Sequence, residues 1–184
     1  MATIILTGLL LGYIVMSVGS NNCAMCTLGE MFTGSSSDKS GSNETLELAG
    51  NWEANDLNGN FLSAESTKGK VSIVVYWATW CAPCRKEFPI LNTLRNEFSN
   101  EQLEIIGVSV DMPGKDLKPF VADHKLNYTI VHNNDTLENS FGPVKYIPTV
   151  FVIDSNGVIK HRHTGNVSKE ILQAQVNNLL RSSV

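Results

Sequence analysis

Cys81 and Cys84 are the side chains of this sequence best suited to chemistry, because two thiols separated by two residues can close a small disulfide. They follow an apolar run, 71–77 (VSIVVYW), whose β-branched and aromatic residues predict a strand buried on both faces. Apolar residues then recur at helical spacing, so we predict that a helix begins at the cysteines; these residues are Phe88, Leu91, Leu94 and Phe98.

The two thiols have different predicted roles because they occupy different positions at this helix start. Unpaired N–H groups and the positive end of the helix dipole favour a thiolate, which makes Cys81, at the exposed start, the predicted nucleophile. Cys84 lies about one turn further on and faces the protein, so it is the predicted resolving thiol. The alternative is that the two cysteines supply half of the ligands of a zinc site.

The segment 77–89, WATWCAPCRKEFP, resembles the active-site segment of thioredoxin-fold oxidoreductases. More narrowly, it is similar to the membrane-anchored TlpA/ResA-like branch, and the resemblance covers about residues 46–180. The resemblance implies a redox-active disulfide between Cys81 and Cys84, and we expect no other cofactor. Thioredoxins carry a buried aspartate where this chain has Val75, so the proton acceptor for Cys84 has to come from elsewhere.

Glu87 is the candidate for that proton acceptor. It stands where the TlpA/ResA-like branch carries a glutamate, and its i, i+3 spacing from Cys84 puts both on the same side of the helix. The alternative is a solvated carboxylate that pairs with Arg85 or Lys86.

The resemblance also implies where a substrate binds. Thioredoxin-fold proteins carry a cis-proline facing the cysteines at the place of Pro148, and a cis bond would turn the backbone of Ile147 outward beside the thiols. The backbone groups of Ile147 could then pair with an extended substrate segment. A trans proline at the first residue of a strand is the alternative. Trp80 and Pro83, next to the cysteines, complete the predicted substrate contacts.

The elements that must position these residues alternate along the chain. Asn58-Gly59 between two apolar runs predicts a β-hairpin, and the alternation of strands and helices after it predicts a largely parallel sheet closed by an antiparallel pair. We therefore predict an α/β, thioredoxin-like fold, in which a central mixed β-sheet is flanked by helices, with an N-terminal β-hairpin and an inserted helix and strand. The predicted strands are 52–57, 61–64, 71–77, 103–110, 128–131, 149–153 and 158–164, and the predicted helices after the first are 114–125, 135–141 and one that follows Ser168.

The start of the chain predicts a membrane segment. Residues 2–18 contain no charged side chain, and about 17 residues is the lower limit for crossing a bilayer. We expect an uncleaved anchor at 1–20, and a signal peptide cut after Ser20 is the alternative. The glycine- and serine-rich stretch 33–43 predicts a flexible linker, with bounds 21–45, and 46–184 form the predicted thioredoxin-like domain.

A second Cys-x-x-Cys pair, Cys23 and Cys26, lies in that linker without the context of a strand and a helix. A second redox pair is one interpretation, and a local disulfide or free thiols is the other. Lipidation would require an apolar and then a small residue before Cys23, whereas asparagine precedes it.

Charge and histidine content exclude other classes of function. The net charge of −4 provides no basic footprint for nucleic acid. His161 and His163 alternate along a predicted strand and share one face, but two histidines fall short of a metal shell, so we predict no metal site.

Together these features predict a thiol–disulfide oxidoreductase, most simply a disulfide reductase of proteins in the cell envelope. The resemblance implies a catalytic domain in the periplasm or its equivalent, substrates such as apocytochrome c during cytochrome c maturation, and a membrane electron donor of the thiol-transporter type. The alternative is a binding module of the same fold that holds a metal ion such as copper.

Overall fold

The computed structural model describes residues 48–182. A hairpin of β1 (Glu53–Asn55) and β2 (Phe61–Ser63) comes first, as predicted from Asn58-Gly59. A five-stranded sheet follows in the spatial order β5-β4-β3-β6-β7. Its strands are β3 (Val71–Trp77), β4 (Leu103–Ser109), β5 (Thr129–His132), β6 (Thr149–Ile153) and β7 (Ile159–Thr164).

The sheet is mixed, as the sequence predicts. β3, β4 and β5 are parallel, β6 is antiparallel to β3, and β7 is antiparallel to β6. Four helices connect and cover these strands: α1 (Phe88–Glu97), α2 (Lys118–Asp123), α3 (Asp135–Phe141) and α4 (Lys169–Ser182). The prediction of a mixed sheet flanked by helices with a hairpin ahead of it is therefore confirmed.

Each face of the sheet has its own apolar core, which explains why β3 is apolar at almost every position. Alternate residues of β3 from Val71 to Trp77 pack under α1 and α4, and those between them pack under α3 and the hairpin. All seven residues of β3 are buried. Since a strand enclosed on both sides has no solvent face, its sequence loses the polar alternation of a surface strand.

The helix at the cysteines differs from the prediction. The α-helix begins at Phe88, and a single 3₁₀ turn, Cys84–Lys86, precedes it. The N–H groups of Lys86 and Glu87 bond to carbonyls three residues back, as in a 3₁₀ turn. Pro89 is the physical reason, because its ring has no N–H to offer to the carbonyl of Arg85 and would clash with it in a continuous α-helix.

One further boundary also differs. α2 is shorter than the predicted 114–125, because Gly114 has a φ of 81° and forms a turn, and Pro119 lies in the first helical turn. The predicted anchor (1–20) and linker (21–45), with Cys23 and Cys26, lie outside the described residues. Within residues 48–182, no helix is both long and apolar enough to cross a membrane.

Candidate active site

The Cys81–Cys84 disulfide lies at the carboxyl end of β3, where the strand turns toward α1. The Cα atoms of the two cysteines are 5.4 Å apart, and the Cys81 N–H donates to the Ala78 carbonyl at 3.1 Å, so the turn closes directly after the strand. Cys81 is only 3% exposed. The prediction of an exposed Cys81 is therefore wrong for this disulfide form, because backbone groups of neighbouring segments contact its sulfur.

Those backbone groups approach the Cys81 sulfur from two segments. The N–H of Cys84 donates to Cys81 Sγ at 3.2 Å, and the carbonyl oxygen of Ile147 lies 3.9 Å from the same atom. A hydrogen bond donated to sulfur favours thiolate over thiol once the disulfide is opened. The geometry thus favours Cys81 as the reactive thiolate, through a local N–H and one 3₁₀ turn instead of a full helix.

Ile147 and Pro148 lie beside the disulfide and are joined by a cis peptide bond. The backbone around them is held by two hydrogen bonds: Thr149 Oγ1 donates to the Tyr146 carbonyl at 2.7 Å, and the Gly165 N–H donates to the Pro148 carbonyl at 2.8 Å. Pro148 is buried and Ile147 is half-buried, so this segment presents part of its backbone and side chain next to the sulfurs.

Exposed apolar side chains surround this end of the sheet. Trp80, directly before Cys81, is 67% exposed, and Met112, which follows β4, is 82% exposed. Tyr146 and Pro83 are exposed as well. Solitary exposed apolar residues are ordinary, but these lie in the loops beside one disulfide and can contact a polypeptide that approaches it.

Glu87 is buried, with 1% of its surface exposed, so its alternative as a solvated carboxylate is wrong. Its Oε1 accepts a hydrogen bond from the Val167 N–H at 3.1 Å, whereas its Oε2 has no hydrogen-bond partner within the described residues. Burial raises the pKa of Glu87 to about 7, and the Val167 N–H and the Asn166 side chain only partly oppose this. A carboxyl group with such a pKa can both accept and release a proton near neutral pH.

Asn166, which the sequence did not single out, joins Glu87 to the disulfide turn. Its side-chain amide donates to the carbonyl of Pro83 at 2.8 Å and also stabilises the ionised form of Glu87. Burial, and after it the charge of Glu87, raise the pKa of Tyr128, whose hydroxyl therefore stays protonated. The local sequence offers no signal for the contacts of Asn166 with Pro83 and Glu87, because Asn166 is about 80 residues from the cysteines.

Asp111 is a second buried carboxylate beside the site that the sequence analysis missed. It accepts hydrogen bonds from Thr79, Ser109 and Lys115 at distances of 2.7 to 2.9 Å. Burial raises the pKa of Asp111, but these bonds outweigh it and lower the pKa to about 2. Its sequence signal is a polar Ser-x-Asp directly after a buried strand, because the carboxyl ends of neighbouring parallel strands meet at one edge of the sheet.

His161 and His163 lie on β7 with their rings stacked 6.2 Å apart. A ring nitrogen of His163 lies 3.1 Å from Gln175 Oε1, so this histidine has a polar partner on α4. Across residues 48–182, no group of three or more potential metal-ligating side chains comes together.

The sequence is similar to known protein families and to characterised relatives. The model of the AhpC/TSA family matches residues 46–162. The thiol-disulfide oxidoreductase ResA of Geobacillus thermodenitrificans is 32% identical over 125 residues, which cover 67% of this chain and 71% of the relative. ResA of Bacillus subtilis is 28% identical over 158 residues, or 83% of this chain and 86% of the relative.

A solved structure is similar as well. It is that of a putative thiol:disulfide interchange protein DsbE from Chlorobium tepidum, with a TM-score of 0.66 and 27% identity over 73% of this chain and 96% of that one. The expected thioredoxin-like fold is confirmed by this match, which extends over nearly the whole length of the related domain.

Proposed function

Because the chain belongs to the AhpC/TSA family and is a thiol–disulfide oxidoreductase, we propose that it works as a disulfide reductase on extracytoplasmic proteins. The observation that carries the proposal is the hydrogen bond from the Cys84 N–H to Cys81 Sγ, 3.2 Å long. This donor stabilises negative charge on Cys81, which supports Cys81 as the attacking thiolate and the buried Cys84 as the resolving thiol.

The proposed reaction is a two-step thiol–disulfide exchange. The Cys81 thiolate attacks one sulfur of a substrate disulfide, that S–S bond breaks, and the first substrate thiolate leaves while a mixed disulfide forms. Cys84 then loses its proton and attacks Cys81 Sγ, which breaks the mixed disulfide and releases the second substrate thiolate. The substrate gains two electrons, and the enzyme is left with the Cys81–Cys84 disulfide.

Glu87 is the proposed acceptor of the Cys84 proton. Its carboxyl group follows Cys84 by one turn and has a pKa of about 7 because it is buried. A base with a pKa near the working pH exchanges its proton most effectively. After resolution it can return the proton to a leaving substrate thiolate or release it to solvent.

The substrate contacts we propose are those of an extended polypeptide beside the disulfide. The Ile147 backbone, next to Pro148, can pair with such a segment, since its carbonyl lies 3.9 Å from Cys81 Sγ. Trp80 and Pro83 are exposed around the sulfurs and can contact the residues that flank the substrate cysteine.

We propose that residues 1–20 anchor the protein in the cytoplasmic membrane and that the linker 21–45 holds the domain 46–184 on the extracytoplasmic side. The uncharged stretch 2–18 and the Gly/Ser-rich composition after it support this arrangement. Apocytochrome c during cytochrome c maturation is a proposed substrate, and a membrane thiol transporter is the proposed electron donor. Cleavage after Ser20, which would give a soluble periplasmic protein, is the competing arrangement.

Cys23 and Cys26 are candidates for a second redox pair that would exchange electrons with the Cys81–Cys84 disulfide. A thiol count on the oxidised full chain, with and without denaturant, decides whether they form a disulfide.

The test of the proposed function is a trapping experiment. Cys84→Ser allows attack but not resolution, so mixed disulfides between Cys81 and protein partners should accumulate and disappear on adding a reductant. Cys81→Ser is the matched control and should trap nothing. Equal trapping by Cys81→Ser, or adducts through Cys23 or Cys26, would overturn the assignment, and mass spectrometry of the adducts would identify the substrates and the donor.

The copper-carrier alternative is tested in the same preparation. Copper titration of the reduced chain, alongside reduction of insulin, separates a carrier that binds copper stoichiometrically from a reductase. The carrier would hold copper through its cysteines, and residues 48–182 offer no specific observation in its favour, because no group of three or more potential metal-ligating side chains comes together there.

A further inference from the structure

Asp111 lies in the loop after β4, directly beside the loop that leads from β3 to Cys81. β3 and β4 are parallel neighbours, with Trp77 opposite Ser109, so the residues that follow each strand come out at the same edge of the sheet. The side chain of Asp111 is 2% exposed. A buried carboxylate is costly unless donors surround it, so the partners of Asp111 indicate why it is there.

Those partners converge on Thr79, two residues before Cys81. The Thr79 N–H donates to Asp111 Oδ2 at 2.8 Å, and the Thr79 hydroxyl donates to Asp111 Oδ1 at 2.7 Å. Lys115 also belongs to the cluster: its ammonium group donates to Asp111 Oδ1 at 2.8 Å and also to the Thr79 hydroxyl oxygen. Ser109 Oγ donates to Asp111 Oδ2 at 2.9 Å.

The remaining polar group of Thr79 is also held. Its carbonyl accepts a hydrogen bond from the guanidinium of Arg85 at 3.0 Å, on the far side of the disulfide turn. The N–H, the hydroxyl and the carbonyl of Thr79 are thus all fixed, by Asp111, Lys115 and Arg85. We call these three residues together with Thr79 the Thr79 anchor.

The Thr79 anchor carries the loop that presents the reactive residues. Trp80 is 67% exposed, so burial of its own side chain can fix it only weakly, and its position depends on the residue before it. Cys81 follows, and exchange between three sulfurs requires a close, aligned approach. A loop that samples several orientations would spend less time in the aligned one.

We propose that Asp111 is a positioning residue for thiol–disulfide exchange, which holds Thr79 so that Trp80 and Cys81 meet a protein disulfide in one fixed orientation. This inference rests on the proposed role of Cys81 as the attacking thiol. Four hydrogen bonds, one of them from the Lys115 ammonium group, keep Asp111 ionised, so the anchor persists over the whole physiological pH range.

The test compares a protein disulfide with a small one. In Asp111→Asn, the amide group that replaces one oxygen cannot accept a hydrogen bond, so Thr79 loses either its N–H or its hydroxyl acceptor. We expect kcat/KM for the reduction of insulin to fall by about tenfold, because the free energy that one or two hydrogen bonds contribute corresponds to a factor of this size. The reaction of the reduced chain with a small aromatic disulfide should change by less than about twofold, because a small reagent needs no fixed Trp80.

Asp154 offers a matched control at the opposite end of the sheet. Its Oδ1 accepts the N–H groups of Asn156 and Val158 at 2.9 Å, and its carboxylate pairs with Lys160 at 3.1 Å, so its partners resemble those of Asp111. Asp154→Asn should lower stability while leaving insulin reduction unchanged. Equal losses of activity in Asp111→Asn and Asp154→Asn would show a general effect of stability and overturn the inference.

Thr79 provides a second test if Asp111→Asn does not fold. Thr79→Val removes the hydroxyl but keeps the N–H, and we expect about a threefold loss of insulin reduction, whereas Thr79→Ser should restore the wild-type rate. In the double variant with Asp111→Asn, the effects should be less than additive, because both changes break the same contact. A fully active Thr79→Val, or an equal loss with the small disulfide, would overturn the inference.

The outcomes also separate this inference from the proposed function. A wild-type chain that leaves insulin intact would overturn both. An active wild type together with an equally active Asp111→Asn would overturn the positioning role alone.

Discussion

Glu87 and Asp111 are both buried carboxylates next to the disulfide turn, yet the pKa of Glu87 is about 7 and that of Asp111 is about 2. Burial raises both values. The difference lies in the donors: Glu87 accepts from the Val167 N–H and is assisted by Asn166, and its Oε2 has no partner within the described part of the chain. Asp111 receives four hydrogen bonds, one of them from the ammonium of Lys115.

Burial alone therefore does not decide whether a carboxyl group is protonated. Where donors are few, the neutral form is favoured and the group can exchange a proton near pH 7. Where donors fill both oxygens, the group stays charged and acts as a fixed acceptor. One end of this sheet therefore carries a carboxyl suited to moving a proton and another suited to holding a loop in place.

The largest expected effect concerns proton transfer at Glu87. Glu87→Gln keeps the size and burial of the side chain but removes the exchangeable proton, so resolution by Cys84 should slow by about 10² to 10⁴-fold at pH 7. Stopped-flow measurement of mixed-disulfide decay across pH 5 to 9 checks this. Glu104→Gln is the control, because Glu104 is a half-buried glutamate at the opposite end of β4. Unchanged decay in Glu87→Gln would remove Glu87 from the mechanism.

The second effect is a loss of stability as the pH rises. The folded protein keeps the Glu87 proton up to about pH 7, whereas the unfolded chain loses it near 4.5, so the stability due to this proton is full below pH 4.5 and is lost as the pH rises through 7. The difference corresponds to about 3 kcal/mol. Urea unfolding of the oxidised chain between pH 4 and 8 should show this decline in the wild type but not in Glu87→Gln. Parallel curves would mean that folding does not raise the pKa of Glu87.

The smallest effect is a loss of stability as the pH falls, and it concerns Asp111. Its folded pKa of about 2 lies below the ordinary value of 3.8, so its contribution is present above pH 3.8 and is lost as the pH falls through 2. The contribution is about 2 kcal/mol. Urea unfolding of the oxidised chain between pH 2 and 5 should show the loss in the wild type and much less of it in Asp111→Asn. Asp123→Asn, at an exposed aspartate, should follow the wild type, and a wild-type curve that matches Asp111→Asn would contradict the comparison.

Local sequence was sufficient for the parts of the fold whose residues satisfy a local rule. Residues 71–77 and 149–153 are strands within the predicted bounds, because strands buried on both faces consist of continuous apolar, β-branched residues. The helix start at Phe88 was missed although its cause, Pro89, is also local. The helical spacing of the apolar residues predicted a helix from the cysteines onward, but Pro89 prevents a continuous α-helix before Phe88.

Residue type and short spacing were sufficient to predict the two cysteines and the strand before them, whereas the cis bond at Pro148 and the proton-accepting role of Glu87 were implied by the resemblance to thioredoxin-fold oxidoreductases. The pKa values of the buried carboxyl groups and the contacts that hold the disulfide loop depend on the tertiary structure. The pKa of Glu87 is raised by burial and partly lowered again by Val167 and Asn166, about 80 residues away. Asp111 reaches Thr79 across 32 residues because two parallel strands end together. Desolvation and donor geometry act between segments that only folding brings into contact, so no local pattern contains them.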